Sequence, residues 1–152
     1  MIAPRSLVRQ RWGWLFPAAF AAHAMEEVAM DLPGWLSSHL GRSISPHDFL
    51  ILSTIFVAFS AGGVILAWEV GGARWVLSSF GTVLLVAASI HVAEAAATGG
   101  YSPGLGTALA ALPLGTFALF RMRRLLRPVT FIFSIFFGML LYAIATTLVM
   151  AA

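Results

Sequence analysis

The amino-acid sequence predicts an all-α membrane protein, a bundle of five transmembrane helices that forms one domain over residues 1–152. The first observation is composition: 60% of the residues are hydrophobic and 10% are charged. In soluble domains about 45–50% of the residues are apolar and about 25% are charged. The second is that five apolar segments approach or exceed the roughly 20 residues that cross a bilayer. So few charges cannot coat a soluble globule, which excludes an ordinary cytosolic enzyme, a disordered tail and a nucleic-acid-binding domain.

The predicted spans are separated by joints in which glycine, proline and charged residues interrupt the apolar pattern. In chain order the spans cover approximately residues 12–30, 48–68, 74–97, 103–120 and 128–150. The joints are a long loop from Asp31 to His47, a Gly71-Gly72 turn, the segment 98–104 and the arginine-rich segment 121–128. The sequence has no cysteine, which excludes disulfides, thiolate nucleophiles and cysteine-ligated zinc.

Positive charge orients the predicted bundle, because cytoplasmic loops carry an excess of arginine and lysine. All nine basic residues are arginines, and with five alternating spans eight of them fall on one side and Arg42 on the other. The N-terminus is therefore predicted in the cytoplasm and the C-terminus outside, in a multi-pass protein of the plasma (inner) membrane. The basic composition is thus a topology signal, and it predicts no nucleic-acid partner.

The N-terminal segment has one alternative interpretation. Its arginines, apolar run and small-residue Ala22-His23-Ala24 sequence also fit a signal peptide with its cleavage site. The apolar run leads directly into Glu26 and Glu27, and the helical pattern continues to Met30. This continuity favours a retained first span.

Two short motifs hold most of the ionisable groups of the spans. His23 and Glu26 on the first span and His91 and Glu94 on the third repeat the pattern His-x-x-Glu, and Glu27 follows the first motif. Residues three or four apart share one helix face. Both spans run in the same direction, and each histidine lies about seven or eight residues below the outer end, so the two imidazoles reach nearly the same depth. Ionisable groups inside a membrane are costly and mark functional sites.

These five side chains are candidate metal ligands. His23, Glu26, Glu27, His91 and Glu94 form a nitrogen and oxygen donor set that suits a divalent metal, with zinc, iron and manganese as the options. Di-iron bundle proteins use the reversed order, Glu-x-x-His, on facing helices, so the likeness is geometric only. A metal would also explain how adjacent carboxylates are tolerated at membrane depth. The structural alternative is hydrogen bonding between helices.

Three further side chains are candidates for the same site. His47 begins the second span after Pro46, Tyr142 lies in the outer half of the fifth span, and Tyr101 lies in the joint before the fourth. With Glu27 and Glu94 they make up the predicted catalytic residues. The alternatives are a surface role for His47 and, for Tyr101, an aromatic anchor beside a turn.

The sequence resembles the HXXEE-domain family of small, mostly uncharacterised prokaryotic membrane proteins. The matching residues are His23-Ala-Met-Glu26-Glu27, then His91 in place of the histidine of an Asn-x-x-x-His motif, then Tyr101-Ser-Pro-Gly104 as a Tyr-x-Pro-Gly motif. The asparagine position is Ala87, so an amide that could orient His91 is missing or replaced by a group such as Ser89. The resemblance implies a membrane bundle with a shared polar site, and it implies no particular reaction.

The leading functional hypothesis is a membrane enzyme whose His/Glu site lies in the outer half of the bundle. Apolar walls around the site predict a lipidic substrate, isoprenoid-like or acyl, converted with a bound metal as Lewis acid or activator of water. One alternative is a metal-free isomerase or cyclase that uses the same residues as acid and base. Another is a small proton or metal-ion carrier. Five spans without an inverted repeat leave little room for alternating access in one chain, although a homo-oligomer could supply it.

Overall fold

The structure is a computed structural model that describes residues 8–41 and 44–151, without the side chains of residues 8–10 and 40. Arg42, the arginine predicted on the opposite side, lies outside the described residues. Over the described part the chain is all-α and contains no strand. Its six α-helices are α1 (Leu15–Ala29), α2 (Leu32–Leu40), α3 (Pro46–Glu69), α4 (Trp75–Thr98), α5 (Leu105–Leu125) and α6 (Pro128–Ala151). Short 3-10 helices, Val8–Trp14 and Gly71–Arg74, precede α1 and α4.

Four segments of the described chain are long and apolar enough to cross a membrane, which indicates a membrane protein. They are Pro46–Glu69, Gly71–Thr98, Leu105–Leu125 and Pro128–Ala151. The first predicted span is not among them, because its α-helix has only 15 residues, about 22 Å at 1.5 Å per residue. Its polar residues also lower its hydropathy.

The long loop predicted between the first two spans is in fact partly helical, since α2 occupies most of it. Asp31 adopts a left-handed conformation (φ 52°), and its side chain accepts a hydrogen bond from the Gly34 backbone N–H at 3.2 Å. An aspartate at this position and Pro33 in the first turn are typical helix-start residues. Leu32 and Leu36 are buried and pack with Phe49. The loop prediction missed this helix because nine residues are too few to show a clear period.

Leaving aside the short α2, successive helices of the bundle run in opposite directions. Near the start of α1, Gly13 faces Val64 near the end of α3 and Leu77 near the start of α4. Near the end of α1, His23 contacts His91 near the end of α4. Thus α1 and α4 run parallel and α3 antiparallel to both. The end of the bundle where α1 and α4 end and α3 and α5 begin is called the site end below.

Helix α4 is the buried centre of the bundle and packs against α5 and α6. Its interface with α6 is built from small polar residues: Ser78 donates a hydrogen bond to the Ser134 hydroxyl at 2.6 Å, and Ser79 donates to the Ser134 carbonyl at 2.9 Å. A Cβ atom at Gly138 would lie 2.5 Å from the Ser79 carbonyl oxygen. Small residues let membrane helices approach closely, and this contact fixes α6 beside α4.

Candidate functional site

Three polar side chains meet at the site end, between α1 and α4. The Nε2 atoms of His23 and His91 lie 3.3 Å apart. The Glu27 Oε1 atom lies 3.5 Å from the His23 Nε2 and 3.6 Å from the His91 Nε2. The side chains are largely buried, with 16% of His23, 13% of Glu27 and 7% of His91 exposed. We call these three residues the His/Glu triad.

The spacing of these three atoms fits a metal ion. In a tetrahedral site with metal–ligand bonds of about 2.0–2.2 Å, neighbouring ligand atoms lie about 3.3–3.6 Å apart. The three distances within the His/Glu triad span that same interval. A metal held by one imidazole from each of two helices and one carboxylate would have three protein ligands, the number found in sites that keep a position for water or substrate.

The other ring nitrogen of His23 is held by α5. Its Nδ1 lies 2.9 Å from the Thr107 hydroxyl oxygen. The single hydroxyl proton of Thr107 is donated to the Glu26 carboxylate, so the hydroxyl oxygen accepts a hydrogen bond from the His23 Nδ1–H. In a neutral imidazole the proton on Nδ1 leaves Nε2 with a free lone pair.

The same arrangement recurs around His91. Its Nδ1 lies 3.1 Å from the Ser102 hydroxyl and 3.3 Å from the Glu94 carboxylate. Ser102 donates its own proton to Glu94 at 2.7 Å, so the His91 Nδ1–H is again the donor and Nε2 carries the lone pair. Metal-binding histidines in proteins show this pattern, in which a carboxylate or neutral oxygen holds the second ring nitrogen.

The hydrogen-bond network therefore points three electron-pair donors at one place. The two Nε2 atoms and the Glu27 carboxylate converge within 3.6 Å, and none of them carries a proton in these tautomers. Unpaired acceptors in a buried setting are costly. A cation, or a proton carried by Glu27, would pair with these acceptors.

Glu26 faces away from the triad and binds the beginning of α5. Its carboxylate accepts hydrogen bonds from the backbone N–H of Gly106 at 3.1 Å and of Thr107 at 2.6 Å. The hydroxyls of Tyr101 and Thr107 donate to the same carboxylate. A carboxylate at a helix N-terminus satisfies unpaired N–H groups and complements the helix dipole. Glu26, predicted as a metal ligand, instead joins α1 to the beginning of α5 through these hydrogen bonds.

The hydrogen bond to Glu26 has a consequence for Tyr101. It raises the pKa of the Tyr101 phenol above its usual value, since ionising the phenol would remove the bond and place two negative charges together. Tyr101 is 48% exposed. Tyr101, one of the predicted catalytic residues, contacts Glu26 in the structure.

Gly104 brings the backbone against the triad. A Cβ atom there would lie 2.7 Å from the His23 Cε1, 3.0 Å from the Glu27 Cγ and 3.0 Å from the His91 Cε1. Its φ of 92° also belongs to the region that glycine tolerates and other residues avoid. Both facts require glycine at the last position of Tyr101-Ser-Pro-Gly104. Because its backbone lies directly against the triad, this segment covers the triad.

One wall of a cavity of about 410 Å³ is formed by the triad. Glu94, Tyr142 and Thr146 also line it, and the rest of the lining is mainly apolar. The aromatic part of the wall comes from Phe20 and Phe56, whose ring centres lie 4.9 Å apart. The structure thus brings Tyr142 to the same cavity as the His/Glu triad and Glu94.

Two other positions differ from expectation. His47 is 80% exposed, lies 3.6 Å from the Asp48 carboxylate and does not line the cavity. It lies on the surface at the start of α3.

Ser89 donates a hydrogen bond to the Leu85 carbonyl within its own helix, so it does not replace the missing asparagine. Ala87 is buried and lines the cavity one turn before His91. The group that orients His91 is Ser102, with Glu94.

Sequence reasoning did not single out Ser102, Gly106 or Thr107. All three follow His91 by fewer than 17 residues and flank the Tyr-x-Pro-Gly motif. They act through hydroxyl and backbone groups, which leave no ionisable signal in the sequence. The one available sign was the motif itself, which places polar residues at the start of the fourth predicted span.

Fold and site together define a class of protein: an all-α membrane protein that holds two histidines and a glutamate in a buried cluster at one end of its bundle. The sequence profile of the family described as "protein of unknown function with HXXEE motif" matches residues 14–118, and the chain belongs to that family. No curated protein and no solved structure was found to match the chain.

Proposed function

We propose that the protein is an integral membrane enzyme that binds a divalent metal ion through His23, Glu27 and His91 and acts on a lipidic substrate. The observation that carries the proposal is the convergence of three lone-pair donors at metal-ligand spacing on the wall of an apolar cavity. Zinc, iron and manganese all accept this donor set.

A metal held there would supply Lewis-acid polarisation of a substrate oxygen or activation of a water. The surrounding residues have separate tasks. Ser102 and Glu94 orient the His91 ring through its Nδ1–H, and Thr107 orients the His23 ring in the same way. Glu94 also lines the cavity and would act there as the acid or base. Tyr142 lines the cavity and would donate a hydrogen bond to a substrate there. The apolar remainder of the wall favours an isoprenoid-like or acyl chain.

We propose five spans, with the N-terminus in the cytoplasm of the cell and the site in the outer half of the plasma membrane. The 3-10 helix Val8–Trp14 continues directly into α1. Seven residues at about 2.0 Å and 15 at about 1.5 Å give about 36 Å if the two are collinear, enough to cross a bilayer. The arginine distribution supports this orientation.

A second candidate is a metal-free isomerase or cyclase that uses the same residues. It is favoured by one observation: hydrogen bonds and close contacts link Glu94, Ser102 and His91 to His23 and Glu27 without a break. A proton on Glu27 could then be given to a substrate double bond and recovered through the histidines.

Elemental analysis of purified protein separates the two candidates. The wild type, prepared without chelators, is expected to hold one metal ion per chain, and His23→Ala and His91→Ala are expected to hold none. The matched control is His39→Ala, because His39 lies on the exposed face of α2, stacked on Trp35. A wild-type protein without metal, or variants that keep it, would overturn the metal centre.

A further inference from the structure

The cavity beside the triad has its opening in the side of the bundle. It is lined by α1, α2, α3, α4 and α6, and α5 does not contribute to it. Four of its lining residues are also among the exposed large hydrophobic side chains: Ile55, Phe59, Ile144 and Leu148. Two lie on α3 and two on α6. The mouth of the cavity is therefore the gap between α3 and α6.

This mouth lies at hydrocarbon depth. Ile55 is nine residues from the start of α3, about 14 Å along the helix axis, and Ile144 is about 10 Å from the end of α6. Both helices are among the segments long and apolar enough to cross a membrane. Side chains exposed at this depth face lipid tails, so the cavity opens into the bilayer rather than to water.

The polar end of the cavity is covered at the site end of the bundle. Leu32 and Leu36 of α2 are buried and line the cavity there, and Gly104 packs directly on the triad. A molecule that reaches the triad from the bilayer meets apolar walls first and polar groups last. A substrate with one polar end and one hydrocarbon chain matches this order.

On the basis of the proposed function, we infer that the substrate is a single-chain lipid that enters sideways between α3 and α6, with its polar end at the His/Glu triad. The volume of about 410 Å³ is at the lower end of ligand pockets, which run about 300–1,000 Å³. It has room for one chain and not for the two chains of a bilayer phospholipid. Ile55 and Ile144 then control entry.

A photoactivatable fatty acid tests the inference without any knowledge of the reaction. The protein is placed in phosphatidylcholine bilayer discs, labelled under light, and digested to locate the labelled residues. Labelling is expected on the cavity-lining residues of α3 and α6 and is expected to be reduced by excess unlabelled fatty acid. Ile144→Trp, which fills the mouth, is expected to lower it at least about fivefold.

The matched control is Phe136→Trp, because Phe136 is also on α6, is 66% exposed and does not line the cavity. It should label like the wild type. Equal labelling of Ile144→Trp and Phe136→Trp, or labelling spread over the whole lipid-facing surface of α6, overturns the inference.

Metal content measured on the same samples separates this inference from the proposed function. Labelling of the cavity wall in a protein without metal supports the side entry and overturns the metal enzyme. A metal-loaded protein that is not labelled at this wall overturns the side entry alone. Ile144→Trp is expected to keep its metal, because Ile144 is not one of the three proposed ligands.

Discussion

The ring nitrogens of His23 and His91 face each other at 3.3 Å across the α1–α4 interface. The Thr107 hydroxyl oxygen accepts a hydrogen bond from the His23 Nδ1–H, and the Ser102 hydroxyl oxygen accepts one from the His91 Nδ1–H. Two imidazoles in these tautomers have no proton to share between their Nε2 atoms and would repel each other. A positive charge or a proton between the two rings would relieve this repulsion, and the Glu27 Oε1 atom lies within 3.6 Å of both Nε2 atoms.

The two adjacent glutamates, Glu26 and Glu27, are expected to respond differently to substitution. Glu27→Gln is expected to lose the proposed metal ion, because it removes the charged one of the three proposed ligands. Glu26→Gln is expected to keep the ion and to lower the melting temperature. Glu26 binds the start of α5 through two backbone N–H groups. Elemental analysis and thermal unfolding in detergent check both variants. Loss of metal from a folded Glu26→Gln protein would return Glu26 to the ligand set.

Glu94 is expected to tune metal affinity without binding the metal. Its carboxylate lies 3.3 Å from the His91 Nδ1 and accepts from Ser102. Removing such a partner of a histidine ligand weakens metal binding about 10–100-fold, and this is the effect expected of Glu94→Gln in a chelator competition. Glu69→Gln is the control, since Glu69 is exposed at the opposite end of α3. Equal affinities of the two variants would contradict the assigned role.

Gly104 is expected to tolerate no side chain. Gly104→Ala places a methyl group 2.7 Å from His23 and at a φ of 92°. Either the triad or the loop must move, so metal content and thermal stability should both fall. Gly100→Ala is the matched control, because nothing lies within 4 Å of a Cβ atom there. A Gly104→Ala protein with full metal content and the wild-type melting temperature would show that segment 101–104 can move away from the triad.

Much of the architecture was predictable from the sequence, because it follows from composition and hydropathy. The apolar runs predicted the positions of α3, α4, α5 and α6, and the two His-x-x-Glu motifs predicted that His23 and His91 meet at one depth. Equal depth on parallel helices requires only the rise per residue. The short α2 was missed, because nine residues show no clear period.

The separation of Glu26 from Glu27 could not be predicted. The two residues are adjacent, and both are compatible with the face of His23 at spacings of three and four. Which one turns to the triad depends on where α5 begins, since the free N–H groups of Gly106 and Thr107 attract Glu26. This is a tertiary contact over about 80 residues of sequence, and neither motif contains it.

The raised pKa of Tyr101 leads to a pH prediction. Its folded-state pKa lies above its unfolded value because the phenol donates to Glu26. The stabilisation is therefore complete below the ordinary tyrosine pKa of about 10 and is lost as the pH rises through the higher folded value. In a Tyr142→Phe background Tyr101 is the only tyrosine, so ultraviolet difference absorbance follows it alone. Adding Glu26→Gln should lower this pKa, and an unchanged titration would argue against the hydrogen bond.

The α4–α6 interface is expected to tolerate no added methyl group at Gly138. A Cβ atom at Gly138 would lie 2.5 Å from the Ser79 carbonyl oxygen and 2.7 Å from the Thr82 Cβ. These are backbone and near-backbone atoms that cannot rotate away, so Gly138→Ala should push the helices apart and cost about 1–3 kcal/mol of stability. Gly62→Ala is the control, since it meets open space on α3 and should stabilise that helix by up to about 1 kcal/mol. Denaturant unfolding in mixed micelles measures both.

Because α6 carries Tyr142 and one side of the cavity mouth, Gly138→Ala should also weaken fatty-acid labelling while His23, Glu27 and His91 keep their metal. Equal stability of the Gly138 and Gly62 variants would show that α6 is free to shift on α4.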